Sequence, residues 1–137
     1  YEIVAAVKSK KSYHTDYPSQ VSPVALGLAW GRLNQKDIDK HIRYTQSNRW
    51  YYFQFSAESP AGATETQHNS ANVHIIPENR RIAGQIRRLR KNDTVRLKGY
   101  LAAVDFPDGA WVSSLSREDT GDGACEILYV TSVTVLR

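Results

Sequence analysis

The chain has 137 residues, enough for one domain that buries its own core without disulfides or a structural metal. Hydrophobic residues make up 41% and charged residues 23%, with 3 Trp, 8 Tyr and 3 Phe, which excludes wholesale disorder. No apolar run approaches the ~20 residues that span a bilayer as a helix. The net charge of +4 is concentrated: Arg80 to Lys98 sets eight basic residues against Asp93 alone, a local +7 that leaves −3 for the rest of the chain.

The single cysteine, Cys125, excludes an intramolecular disulfide and leaves the redox compartment open. The chain begins at Tyr1 and contains no Met, so a leader or membrane anchor is expected to precede it.

In chain order, Glu2 to Lys11 reads as a strand from its Ile and Val content, with basic residues towards its end. Tyr17-Pro18-Ser19 and Ser22-Pro23 mark a loop. Val24 to Trp30 is apolar at alternate positions and fits either a short strand or a buried helical turn. Lys36 to His41 suits a short helix with Asn34 as a weak N-cap. Arg49 to Phe55 (RWYYFQF) is the clearest strand, because aromatics pack well on a pleated surface. Ala57 to Asn72, small and polar, reads as a long loop, and Val73 to Ile76 as a short strand stopped by Pro77.

The best helix follows, with Glu78 expected in its first turn and Ile82, Ile86 and Leu89 forming one apolar stripe at i, i+4 and i+7. Its other faces carry arginine, and Asn92-Asp93 ends it. Thr94 to Val104 is a strand interrupted by Gly99, and Pro107-Asp108-Gly109 a turn leading to a strand over Trp111 to Leu115. Arg117 to Gly123 is a polar loop, and Glu126 to Leu136 a long closing strand. Five or six strands with one helix between two sets of them predict an α+β, mainly β chain. The expected form is a small, partly closed barrel like the oligonucleotide/oligosaccharide-binding (OB) fold, one domain over residues 1–137. A β-sandwich with a packed helix ranks second.

Three strings, HNSANVHIIP (His68 to Pro77), NDTVRLKGYL (Asn92 to Leu101) and SSLSREDTGDGACEILYV (Ser113 to Val130), together resemble a group of bacterial single-domain proteins that carry no assigned activity. In that group a short N-terminal anchor or leader precedes one domain, so the resemblance implies a cell-envelope location, exported or membrane-anchored. VRLKGYL and ILYVTSVTVL are similar to OB-type strands.

Candidate chemistry is sparse. His68 and His74, six apart, would share a face on one extended strand with Ser70 and Asn72 between them, offering a general base or part of a metal site. A metal needs further ligands, and none stands at a recognised spacing, so no metal or cofactor is assigned. The plainer reading is that these side chains hydrogen-bond backbone. Cys125 as a nucleophile would need His68 or His74 as base and Arg117 beside a developing anion; a buried structural thiol is the plainer reading. Trp50 and Tyr52, with their aromatic neighbours, offer rings for stacking a base or sugar. Arg80, Arg81, Arg87, Arg88 and Arg90 offer a positive face to an anionic partner, whether lipid headgroup, acidic protein or nucleic acid; the plainer reading is a solvated helix face.

No phosphate-binding loop, dinucleotide fingerprint, nucleophile elbow or C-x-x-C pair occurs. The expectation is a non-catalytic binding or structural module whose basic helix faces an anionic partner. The alternatives are a Cys/His acyl-transfer or hydrolytic enzyme and a single-stranded nucleic-acid-binding OB domain.

Overall fold

In a computed structural model the described residues are 1–13, 22–47, 50–106, 109–112 and 126–136. Their elements are β1 (Glu2–Ser12), β2 (Val24–Ala29), a 3-10 turn (Gly31–Asn34), α1 (Lys36–Asp39), β3 (Ile42–Ser47), β4 (Trp50–Phe55), α2 (Ala63–His68) and β5 (Ser70–Pro77), followed by α3 (Arg80–Arg87), β6 (Thr94–Leu101), β7 (Ala103–Phe106), β8 (Gly109–Val112) and β9 (Glu126–Leu136).

Five strands close a barrel in the order β1-β2-β5-β9-β6, with β6 returning to β1. The long first strand serves two neighbours: Glu2 to Ala6 pairs with β6, and Ala6 to Ser12 pairs with β2. All barrel pairings are antiparallel except β5 with β9. This is the five-stranded Greek-key barrel of the OB fold, with its helix, α3, between the third and fourth barrel strands. The β3–β4 hairpin is inserted between the second and third barrel strands, and the β7–β8 hairpin between the fourth and fifth.

Alternation fills the barrel. Ile3, Ala5 and Val7 of β1, Leu26 and Leu28 of β2, Val73 and Ile75 of β5, Val95 and Leu97 of β6, and Leu128 and Val130 of β9 form one buried cluster. Helix α3 closes one end: Ile82, Ile86 and the following Leu89 join that cluster. Its N-cap is Asn79, whose Oδ1 accepts from the Ile82 amide at 2.9 Å. Glu78 therefore precedes the helix, and its first turn holds no acid, which corrects the expected boundary. After the helix, Asn92 takes a left-handed φ of 74°, which Asn tolerates, and its amide donates to the Val7 carbonyl at 2.6 Å. The Val7 amide donates to the Asp93 carbonyl at 2.8 Å, which ties the turn to β1 beside an irregularity in its pairing with β2.

A second cluster, Ala29, Leu33, Ile38, Ile42 and Ala61, seats the inserted segment, with Tyr44 and Phe53 packed on it. Burial pushes the Tyr44 hydroxyl pKa up, and the nearby Asp39 charge adds to the rise. Lys8, 5% exposed, meets Asp39 of α1 at 2.9 Å, so its buried charge is paired.

Two expectations about elements change. Residues 57–72 are not one loop: they contain α2 and the start of β5. Helix α2 is six polar or small residues without an apolar stripe, held instead by local bonds such as Thr66 Oγ1 to the Gly62 carbonyl at 2.9 Å. The strand expected over Thr94 to Val104 is two, β6 and β7, separated at Ala102.

Two glycines make opposite predictions. At Gly99, in the irregular step of the β6–β9 pairing, a Cβ would lie 1.8 Å from the Tyr129 carbonyl oxygen. Gly99→Ala is expected to cost roughly 3 kcal/mol or more, since two backbones must separate. At Gly84 an added Cβ meets only the tip of Arg88 at 3.6 Å. Gly84→Ala is expected to stabilise by about 0.5–1 kcal/mol through the helix preference for Ala over Gly. Urea unfolding of both variants checks the pair of signs.

Candidate functional site

With Ile82 and Ile86 turned into the barrel end, a step of about 100° per residue brings Arg80, Arg81, Gly84, Arg87 and Arg88 to the outward side of α3. All four arginines are exposed. Gly84 lies between the two pairs, and the Arg88 guanidinium folds back over it. Among the described residues, no carboxylate forms an ion pair with Arg80, Arg81, Arg87, Arg88 or Arg90. The carbonyls at the helix end are used internally: Lys10 Nζ donates to those of Arg87 and Leu89, the latter at 2.8 Å. That ammonium adds a further positive charge at the helix C-terminus, where the dipole favours it. Arg90 follows the helix, exposed, with its amide donating to Asp93 Oδ2 at 2.9 Å. Arg80, Arg81, Arg87 and Arg88 thus lie together on one exposed side of the helix.

The outer face of β2 and β5, the surface an OB barrel commonly offers to ligands, is closed. Its positions are small or polar: Ala25 opposite His74, Gly27 opposite Asn72, Ala29 opposite Ser70. All are buried. Gln46 of β3 spans this face. Its Nε2 donates to Asn72 Oδ1 at 2.9 Å, and its Oε1 accepts from Ser9 Oγ at 2.8 Å. Ser9, Gly27 and Asn72 stand in register across three strands, so the glutamine side chain lies across the glycine between them. Ser70 Oγ donates to the Thr66 carbonyl at 2.6 Å.

His68 and His74 do not share a strand, contrary to the spacing argument. His68 ends α2, and the chain changes conformation at Asn69 before β5 begins. His68 is half-buried, whereas His74 is 2% exposed and sits on the closed face. Cys125 and Arg117 lie outside the described residues, as does the side chain of Trp50, whose backbone pairs with Ser47. Among the described residues no three His, Cys, Asp or Glu side chains gather as a metal site, and no helix is long and apolar enough to cross a membrane.

Tyr52 is 50% exposed on the outer side of the β3–β4 hairpin, with Arg43, Thr45 and Gln54 exposed around it. Beneath, Phe53 and Phe55 stack with centroids 6.2 Å apart. The hairpin packs on β1, β2 and β5, and α3 on β5 and β9, so Tyr52 and the arginines belong to separate surfaces. Arg32 is paired internally, because both its Nε and Nη2 donate to the Glu65 carboxylate. Arg32 holds the Glu65 carboxyl below its usual range, chiefly through those hydrogen bonds.

Sequence reasoning missed three residues that shape these surfaces. Asn79 was legible as an N-cap, three residues before Ile82. Lys10 and Gln46 carry no local signal, since each acts across a long sequence separation.

No protein-family model matches the chain, and no curated protein matches it. Among solved structures the chain is similar to a small single-stranded DNA-binding protein from Streptomyces coelicolor, with 8% identity over 98% of this chain and 93% of that one, at a TM-score of 0.39.

Removing the amide that spans the closed face tests how the hairpin is held. Gln46→Ala leaves Asn72 and Ser9 each short of one partner, at an expected cost of about 1–3 kcal/mol. Hydrogen exchange is expected to rise in β3 and β4 with little change in β6 and β9.

Proposed function

We propose that this chain is a non-catalytic OB-barrel module that binds a single-stranded nucleic acid through the outward face of α3. The observation that carries the reading is the set of four exposed guanidiniums, Arg80, Arg81, Arg87 and Arg88, on one helix side without an acidic partner among the described residues. OB barrels take oligonucleotides and oligosaccharides, and this charge selects the former. Spacing favours a chain of anions over a single one. Arg80 and Arg87 lie seven residues apart, about 10.5 Å along the axis, as do Arg81 and Arg88. Every nucleotide of a strand carries a phosphate, so two arginine pairs this far apart address different phosphates of one strand. Arginine suits this work because its fork donates to two phosphate oxygens at once.

The closed β2–β5 face supports moving the contact to α3, because the barrel's usual ligand surface is occupied by its own hairpin. The reading assigns no catalytic residue.

The test is fluorescence anisotropy with an end-labelled oligothymidylate of about 20 nucleotides. Four phosphate contacts predict a slope of log K against log salt of about −3, at roughly −0.7 per contact for a single strand. Arg80→Glu combined with Arg87→Glu is expected to weaken binding at least ~10-fold at about 50 mM salt, with the circular dichroism spectrum unchanged. Binding insensitive to the double reversal overturns the reading. So does absence of oligonucleotide binding beside retention on vesicles rich in anionic phospholipid, which would assign the face to headgroups.

A further inference from the structure

Where α3 crosses the barrel end, a cleft of about 210 Å³ opens beside the arginine face. Buried Val24 and Ile75 line it, with half-buried Pro77 and Ala83; Ser12 and Arg87 contribute polar atoms. No carboxylate lines it among the described residues. Arg87 belongs both to this cleft and to the outward row of guanidiniums, so the two features are continuous. Lys10 Nζ, on the carbonyls of Arg87 and Leu89, adds positive charge near the same place.

We infer that this cleft is a nucleobase site: one base of the bound strand leaves its neighbours and inserts between α3 and the barrel end, while its phosphate stays on Arg87. This deepens the nucleic-acid reading and rests on it. Three observations select the occupant. The volume falls below the ~300–1,000 Å³ of sites for drug-sized ligands, so it suits a single ring system. The walls are mostly apolar, which suits the face of a heteroaromatic ring and not a sugar, whose hydroxyls would lose water without replacement. The charge at the edge is positive, which complements the phosphate that every nucleotide carries. Base insertion against apolar walls tolerates sequence, because each base presents a flat, largely apolar face.

The experiment compares two probes on the full chain: oligothymidylate, and inorganic polyphosphate of matched charge, which carries phosphates and no bases. The wild type is expected to bind oligothymidylate at least ~5-fold more tightly than polyphosphate. Ala83→Phe, which fills the cleft from the helix side, is expected to erase that preference and leave polyphosphate affinity unchanged. An unchanged circular dichroism spectrum and thermal unfolding midpoint report that the variant is folded. If Ala83→Phe does not fold, Ser12→Phe narrows the cleft from β1 and is read the same way. Equal binding of both probes by the wild type, or a preference that survives filling, overturns the base site and leaves the arginine face standing. Binding of neither probe overturns the functional reading together with this site.

Discussion

Barrel closure depends on one parallel seam, Val73 to Pro77 of β5 against Glu126 to Val130 of β9. Parallel neighbours cannot be joined by a tight turn, so the chain must leave β5 at one end and return at the other. Between Pro77 and Glu126, α3 and β6 serve that return. Helix α3 makes the crossing over the barrel end, and β6 then runs back between β9 and β1 to complete the ring. The crossing fixes the chemistry of the helix. Ile82, Ile86 and Leu89 must face the open end of the barrel, which leaves the helix arginines exposed on its other sides, with Arg87 at the edge of the cleft. The surface charge is thus a consequence of where the apolar stripe has to go.

Much of this was legible because it is periodic. Alternation in β1, β6 and β9 and the i, i+4, i+7 stripe of α3 each report burial directly, and strands flanking one helix suggest an OB-like barrel. What was not legible is non-local. Nothing in TQHNS says that the chain turns from helix to strand at Asn69, so a spacing of six between His68 and His74 was read on a strand that His68 does not occupy. Helix α2 has no apolar stripe; its Thr66 hydroxyl donates to the Gly62 carbonyl within the helix, and its Thr66 carbonyl accepts from Ser70 of β5. Strand β3, IRYTQS, alternates only when its partner is known: Ile42 and Tyr44 pack on the second cluster, and Gln46, next on the same side, reaches Asn72 and Ser9.

The closed face explains an oddity of composition. A ligand-reading sheet would present large aromatic or charged groups, yet β2 turns Ala25, Gly27 and Ala29 outward. Small residues let a second layer lie close, and glycine lets a side chain cross the sheet at short range. The inserted hairpin takes that space, held by the Gln46 bonds, while the Lys8–Asp39 pair holds α1 just before it. The same substitution of small for large residues that seats the hairpin removes the barrel's usual groove.

The α3 face differs from an ordinary solvated surface in what it lacks. A helix face needing only solvation is well served by Glu and Lys four residues apart, which support one another by a few tenths of a kcal/mol per pair. Here Arg80 and Arg81 stand in the first turn, where the helix dipole disfavours cations, and no acid accompanies them. Gly84, which weakens a helix, occupies the middle of the face and leaves the guanidinium of Arg88 free to lie across it. Each of these choices costs the free protein local stability. All three become favourable together if, as proposed, an extended anion lies along the helix: the repulsion is neutralised, and the unpaired forks, that of Arg88 across the glycine among them, gain acceptors.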